Sequence, residues 1–416
     1  MYSINSASLN LKNHSIIALG YFLIIAFLGV MLRLFHVVDI PIDFKHIVHA
    51  HSHIALLGWV YTALTTLIYY IYLREKPISK GYRRLFWFTQ FTLIGMLISF
   101  PITGYALFSI LFSTLFLFAS YWFFWFVNKH ISPAQKSTNS FSLVKAGLWF
   151  MVISSLGPWA LGIIMNTLGV TSIWYRTSIY FYLHFQYNGW FIVALFGIFF
   201  YVLEQHNIEV SKKLFNKFYW LLILSIILTF FLSVLWIKPH RAFYIISSIG
   251  AFLQFVLFWL FIRLIRQTRV GLIFSKRLLN LLKLSCFLFV IKITLQFIGS
   301  FQVMADDIAI ILDWVIGYLH WTFLGVVSIP LFVFLHYFKL IRIPKKSMTL
   351  YIIGFFLTEV LIFYKGYTQW KKENLFESCD LYLVISSFFF LISIALIFWS
   401  QLKTAPFKIK KPSKTT

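Results

Sequence analysis

The stretch "SIIALGYFLIIAFLGVMLRLF" (residues 15–35) contains a single charged side chain, that of Arg33. An α-helix rises about 1.5 Å per residue, so this stretch is long enough to cross the roughly 30 Å hydrocarbon core of a bilayer. Similar apolar stretches recur along the 416 residues, of which 60% are hydrophobic, and the mean hydropathy is +0.84. A water-soluble core of this size does not need so much apolar surface. We therefore predict an all-α, polytopic membrane protein whose first stretch serves as an uncleaved anchor.

About twelve spans, each close to the 20 residues that a crossing helix needs, account for the apolar stretches. We predict them at 15–36, 48–72, 84–101, 103–127, 143–167, 176–202, 216–236, 242–265, 281–303, 313–337, 348–366 and 379–401. The third and fourth are separated by "SFPITGYA", in which Pro101 and Gly104 break the helix. No connection is long enough for a separate soluble domain, so residues 1–416 form one membrane domain.

Basic residues are concentrated in every second connection, at 73–84, 262–280 and 339–346, and in the tail, 402–416. The connections between them are poor in Lys and Arg, which by the positive-inside rule predicts that both termini and the basic tail are cytoplasmic. We expect a multi-pass protein of the bacterial cytoplasmic (inner) membrane. The net charge of +24 is explained by these loops and by anionic lipid headgroups, so we expect membrane lipid as a partner and no nucleic-acid binding.

The second span begins with "HIVHAHSHIALLGW" (residues 46–59), which holds a third of the chain's 12 histidines. These are His46, His49, His51 and His53. In the predicted orientation His53, His184 and His320 each lie six or seven residues, about 10 Å, below the outer end of a different span. Ionisable side chains in a membrane usually face a bundle interior or a cavity, and imidazole commonly binds haem iron and copper. The three imidazoles could therefore converge on one site.

Helix geometry divides the histidines of the second span. His46, His49 and His53 share one face, whereas His51 lies about 160° away from His53 and is expected to face elsewhere, nearer the outer water. We favour His53 as the ligand of a buried centre. His49 is the reserve, because a register shift of one turn exchanges it with His53. The alternative, that each histidine is an ordinary hydrogen-bonding core residue, remains open.

Short motifs around the other histidines resemble those of the haem-copper oxidase large-subunit (cytochrome c oxidase subunit I-like) superfamily. "HFQYNGW", from His184, resembles the "HxxxEGxW" pattern of nitric oxide reductases and related oxidases. "YLHWTFLG" (318–325) resembles the tenth-span "HxHxxxxG", and "PHR" (239–241) resembles the paired histidines of the outer seventh–eighth connection. "HAHSHIALLGW" also resembles the opening of NnrS-type haem-copper membrane proteins. The superfamily has twelve spans with both termini inside.

The resemblance implies cofactors and their ligands. His53 and His320 would be the axial ligands of one low-spin b-type haem. A second metal site, with copper as a further cofactor, would involve His184, His240 and Tyr318.

The sequence also departs from the family pattern at the second site. Asn188 stands where the pattern has glutamate, Arg241 where it has the second outer histidine, and Tyr318 where it has the histidine that holds the active-site haem. The resemblance thus implies electron transfer, or nitric oxide or metal handling, with a degenerate catalytic centre. It also implies a respiratory-chain or cytochrome partner.

Two other classes of function remain open. A secondary transporter could line a substrate or proton path with these histidines, and "SSLGPWALG" (154–162) is its best discontinuous helix, although no half-to-half repeat is evident. A structural subunit of a respiratory assembly is the third class.

Two charged residues, Lys292 and Glu359, lie in mid-span. They need partners, either each other or the groups of a proton path. Arg176 and Arg241, both on the predicted outer side, could meet haem propionates or reach the lipid headgroups.

Overall fold

The structure is a computed structural model that describes residues 9–266 and 268–403, and all regular structure within these ranges is helical. Twelve helices are long and apolar enough to cross a membrane, which confirms the predicted number of spans. They are Leu11–Leu34, Phe44–Tyr72, Ser79–Thr103, Leu107–His130, Asn139–Thr167, Ile173–Gln205, Lys212–Ile237, Arg241–Arg266, Lys276–Ile298, Leu312–Tyr337, Lys345–Lys371 and Cys379–Leu402. Three short helices lie between spans: Pro133–Lys136, Val270–Ile273 and Gln302–Ile310.

The third span ends where the sequence predicts a break. Gly104 follows it with a φ of +59°, which residues with a side chain rarely adopt. The hydroxyl of Ser109 donates a hydrogen bond to the Gly104 carbonyl over 2.6 Å, which satisfies one of the backbone acceptors freed by the break. The two spans are therefore separate helices that pack against each other.

The spans form a closed bundle. Each contacts the next in sequence, and the twelfth contacts the first. The second, sixth and tenth spans also contact one another, and they are the most buried, at 89%, 89% and 72% of their apolar windows. The indole Nε1 of Trp59 donates to Ser328 Oγ over 2.8 Å and joins the second span to the tenth. The three spans that carry His53, His184 and His320 are thus the interior of the bundle.

An even number of spans puts Leu11 and Leu402 on the same side of the bundle. This agrees with matching termini, while the assignment of that side to the cytoplasm remains a prediction from the loop charges. The opposite side, where the second, sixth and tenth spans begin, is called the histidine side below. The basic tail predicted at 402–416 lies outside the described residues from residue 404 onward.

The three interior spans share a local departure from α-helical geometry. Each contains a π-helical segment: Ile54–Tyr61, Phe185–Phe191 and Trp321–Val327. Each segment begins directly after one histidine, which is His53, His184 or His320. π-Helical turns are rare and are frequent at functional sites, because the extra residue in the turn re-aims the side chains beside it.

Each π-helical segment also holds a glycine five residues after its histidine: Gly58, Gly189 and Gly325. A β-carbon on these glycines would lie 2.9 Å from Tyr21, 2.6 Å from Phe150 and 2.8 Å from Leu288, respectively. These three neighbours belong to the first, fifth and ninth spans. In each case the missing side chain lets the preceding span approach closely. These features thus recur at intervals of four spans, whereas the sequence has no evident repeat between its two halves.

Candidate functional site

The second span begins at Phe44 because Asp43 caps it. The Asp43 carboxylate accepts hydrogen bonds from the backbone N–H groups of Lys45, over 2.7 Å, and His46, over 3.2 Å. These bonds, that of His46 first, hold the pKa of the carboxyl below its ordinary value. The cap fixes the helical phase in which the four histidines follow.

The histidines then divide between two sides of the second span, as helix geometry predicts. His53 faces the third span: its ring centre lies 4.3 Å from that of Phe100, and its Nε2 shares a hydrogen bond of 3.1 Å with the Tyr105 hydroxyl. Its Nδ1 is 2.9 Å from the His49 carbonyl, so both ring nitrogens are engaged. His49 lies on the same side, with its ring centre 4.6 Å from that of Tyr105.

His51, on the opposite side of the span, meets His320. The two ring centres are 6.4 Å apart and the ring planes make an angle of 80°. The sequence predicts that His53 pairs with His320, whereas the structure places the ring of His51 beside His320, and His51 is partly buried in the bundle. The π-helical segment begins after His53, so it cannot have altered the relative phase of the two residues. The sequence could not predict how the second span is rotated about its own axis relative to the neighbouring spans.

The separation of the two rings matches the coordination of one metal ion. Two imidazole nitrogens bound to the same metal need two bonds of roughly 2.0–2.1 Å. The centre of a five-membered ring with bonds of about 1.33 Å lies about 1.1 Å from each ring atom. The ring centres of two opposed ligands are therefore about 6.4 Å apart. The angle between the ring planes does not affect this distance, because each ring can turn about the bond to the metal.

The environment of His51 leaves one nitrogen free for such a bond. Nδ1 lies 3.1 Å from the carbonyl oxygen of Ile25, an acceptor, so Nδ1 carries the proton and donates. Nε2 then keeps its lone pair, which is the arrangement that metal-binding histidines use. No hydrogen bond to the ring of His320 is found within residues 9–266 and 268–403. This pair is thus less engaged by the protein than His53 is.

Two residues of the first span border the pair. Gly29 lies so close that a β-carbon on it would be 3.3 Å from Cε1 of His51. Arg33 is partly buried and interacts electrostatically with both His51 and His320. Its charge also interacts with Glu359 of the eleventh span. The site therefore combines two imidazoles with a guanidinium that has no ion-pair partner within 4.0 Å in the described part of the chain.

Of the three residues expected at a second metal site, two line the same cavity and the third does not. His184 is only 1% exposed; its Nε2 donates to the Ile226 carbonyl over 2.8 Å, and its Nδ1 lies 3.3 Å from the Asn188 amide. His184 and Tyr318 both line one cavity, but His240 is exposed and does not line it. Across the described ranges, no group of three or more His, Cys, Asp or Glu side chains could hold a metal ion.

The two mid-span charges do not pair. Lys292 is 1% exposed, and its Nζ donates to Gln296 Oε1 over 2.8 Å. Glu359 is also 1% exposed, and neither of its carboxylate oxygens has a hydrogen-bond partner among the described residues. The expected alternative of a Lys292–Glu359 ion pair is therefore wrong. Each group occupies a different part of the bundle interior.

The comparisons with known proteins add no assignment. No protein-family model matches the chain, and a search of curated proteins finds no match. The resemblance to haem-copper oxidases thus rests on the short motifs and on the topology alone.

One sequence signal could have identified the structural repeat. The pattern His-x4-Gly occurs at 53–58, 184–189 and 320–325, once in each interior span. Read singly, this short pattern carries little weight. Because the pattern occurs once in each of three corresponding spans, it marks the positions of the π-helical segments. It also predicts that the glycine of each span contacts the preceding span closely.

Proposed function

We propose that this chain is a haem-binding membrane protein that transfers electrons, and that His51 and His320 are the axial ligands of one b-type haem. The observation that carries the proposal is the 6.4 Å separation of these two rings, which lie on different interior spans. Two histidines on separate helices can hold an iron from both sides only at about this distance. This choice replaces His53 by His51 and keeps His320.

The chain's own residues would orient the group and balance its charge. The Ile25 carbonyl holds the His51 ring in the tautomer that leaves Nε2 available. Arg33 is suited to pair with a propionate, because guanidinium binds carboxylate in a bidentate manner. Gly29 keeps the first span against the His51 ring. When bound, a haem iron with two imidazole ligands supplies one-electron redox chemistry.

Catalysis of oxygen or nitric oxide reduction is not part of the proposal. Both ring nitrogens of His184 are taken up by Ile226 and Asn188, so His184 is a satisfied core residue. Tyr318 replaces the histidine that the resembling enzymes use. Copper is left out for the same reason. The electron donor and acceptor would be respiratory-chain or cytochrome partners in a bacterial cytoplasmic membrane.

The test is the reduced-minus-oxidised absorption spectrum of the purified protein from cells supplied with ample haem. Wild-type protein should show the α and β bands of a low-spin haem. His51→Ala and His320→Ala should each abolish them, because an iron that loses one axial imidazole leaves the low-spin state. His53→Ala is the matched control from the same span and should keep the bands.

Two results would contradict the proposal. If the bands survive in His51→Ala but disappear in His53→Ala, the ligand from the second span is His53, on the opposite side of the helix. Absence of haem from all preparations of well-folded wild-type protein would remove the haem assignment altogether. In that case a transporter with a histidine-lined path would be the better hypothesis.

A further inference from the structure

A cavity of about 430 Å³ lies near the histidine side, between the sixth, seventh, ninth and tenth spans. The short helix Gln302–Ile310 contributes Met304, Ala305, Ile308 and Ala309 to its wall. Its volume is in the range of small-molecule sites in proteins. Neither His51 nor His320 lines it, so this cavity is distinct from the proposed haem site.

The wall of the cavity is mostly aliphatic and aromatic, with one permanently charged side chain, Arg176, among its described residues. The guanidinium carbon lies 4.7 Å from the ring centre of Trp236 and 5.1 Å from that of Tyr180. The Arg176 Nε also donates a hydrogen bond of 2.7 Å to the Tyr180 hydroxyl. These contacts hold the guanidinium in a fixed plane.

No acidic side chain neutralises Arg176 within the described ranges. The ion pairs found there are Arg74–Glu75, Lys238–Asp306 and Lys365–Asp380. The short helix at the cavity wall carries two aspartates, but neither lines the cavity or forms an ion pair with Arg176. Asp306 pairs with Lys238, and Asp307 accepts a hydrogen bond from the Trp370 indole over 2.8 Å. Arg176 is partly buried beside a mostly apolar wall and has no counterion there, so the site favours an anion from outside the chain.

The remaining polar side chains of the wall are uncharged apart from His184, and they carry indole, hydroxyl and amide groups. The indole Nε1 of Trp236 is shielded from solvent and has no hydrogen-bond partner in the described part of the chain. The amide oxygen of Gln296 is already taken by Lys292. A ligand that supplies acceptor oxygens beside Arg176 would pair with its guanidinium, whereas an uncharged hydrocarbon would leave this cation without a counterion.

We propose that this cavity binds an amphipathic organic carboxylate, whose carboxylate contacts Arg176 and whose apolar body fills the space between the four spans. Arg176 lies eight residues before His184, which also lines the cavity, so the space extends about 12 Å along the sixth span. Two sources supply such chemistry: a long-chain fatty acid from the bilayer, or a tetrapyrrole with carboxylate side chains. The alternative role for Arg176 is to reach the lipid headgroups, and then no ligand depends on it.

The experiment measures binding of the fluorescent fatty acid cis-parinaric acid to the detergent-purified protein, with its methyl ester as the uncharged counterpart. The acid should bind about ten- to a hundredfold more tightly than the ester, which is what one charge-assisted hydrogen-bonding pair contributes. This comparison needs no variant. Equal affinity for the acid and the ester would overturn the proposal.

Variants locate the site. Arg176→Gln should lower affinity for the acid by the same ten- to a hundredfold factor and leave the ester unchanged. Arg241→Gln is the matched control, because Arg241 is exposed at the start of the eighth span and does not line the cavity. Ala309→Phe should weaken binding of both probes by filling the space. Binding that is unchanged in both Arg176→Gln and Ala309→Phe would also overturn the proposal.

Competition distinguishes the two sources. Displacement of the probe by palmitate alone identifies a lipid acid, and displacement by metal-free protoporphyrin, but not by its dimethyl ester, identifies a tetrapyrrole carboxylate. Either result supports the site when it depends on Arg176. Displacement by neither, with probe binding insensitive to Arg176→Gln, refutes it. His51→Ala should leave all these affinities unchanged, so failure of the haem proposal and failure of this one are separately visible.

Discussion

Replacing Gly189 by alanine is expected to destabilise the protein, because the sixth span has no room for a side chain at this position. The added β-carbon would lie 2.6 Å from both Cβ and Cγ of Phe150. Carbon atoms in favourable contact are about 3.5–4.0 Å apart, so the overlap is about 1 Å. Rotation of the ring cannot relieve it, since Cβ of Phe150 is fixed to the backbone of the fifth span. The two spans must therefore move apart.

The size of the effect follows from two opposing contributions. Overpacking of a well-packed core typically costs about 1–3 kcal/mol. Alanine is a better helix former than glycine by about 1 kcal/mol, which offsets part of this cost. Since the overlap involves an atom fixed to the backbone, we expect the upper end of this cost, which leaves a net loss of about 2 kcal/mol in unfolding free energy. Gly325→Ala should cost less, because its closest neighbours are the tips of side chains, Cδ1 of Leu288 and Cζ of Phe355.

Gly162→Ala provides the matched control, because no atom lies within 4 Å of a β-carbon built on Gly162. It should be neutral or slightly stabilising. The assay is unfolding of the purified protein in mixed micelles with increasing dodecyl sulfate, followed by tryptophan fluorescence and compared at the same detergent composition. If Gly189→Ala is as stable as Gly162→Ala, the close packing of the fifth and sixth spans is wrong. The three-fold repeat of such contacts would then lose its physical basis.

Two further predictions concern buried charge and orientation. Lys292→Met and Glu359→Gln should change the unfolding free energy independently, with a coupling energy below about 0.5 kcal/mol, because the two groups do not pair. A double-mutant cycle measures this coupling energy. A value of several kcal/mol would show that Lys292 and Glu359 do form an ion pair. Reporter fusions after residues 78 and 105 should report the cytoplasm and the outside, respectively. If both positions report the same side, the third span does not cross the membrane.

The number of spans could be predicted because membrane crossing is a local property. A helix in hydrocarbon needs enough consecutive apolar residues, and this requirement can be counted along the chain. The break before the fourth span was equally local, since Gly104 ends the helix through its own backbone conformation. Pro101, which was also expected to break it, lies inside the last turn of the third span. The bounds differ by several residues because helices extend into the interface. The sixth span, predicted at 176–202, is observed at Ile173–Gln205.

The candidate site was predictable in part. Helix periodicity correctly separated His51 from His49 and His53, because the angle between residues of one helix depends only on their spacing. Periodicity does not say which side of a helix faces which neighbour. The sequence favoured His53 and predicted that His51 lies nearer the outer water, whereas the ring of His51 is the one that lies 6.4 Å from that of His320. The partner of Lys292 was missed for a related reason, since Gln296 on the same span competes with any distant carboxylate.

By itself, the sequence determined the class of the protein, its twelve spans and the end of the bundle at which His53, His184 and His320 lie. These features follow from apolar length, loop charge and residue spacing, all of which are local. Only the tertiary structure decided that His51 meets His320 and that Arg176 has no ion-pair partner within 4.0 Å among the described residues. The rotation of the second span depends on contacts with distant parts of the chain, such as Trp59 with Ser328. Such contacts form only when all the spans pack together.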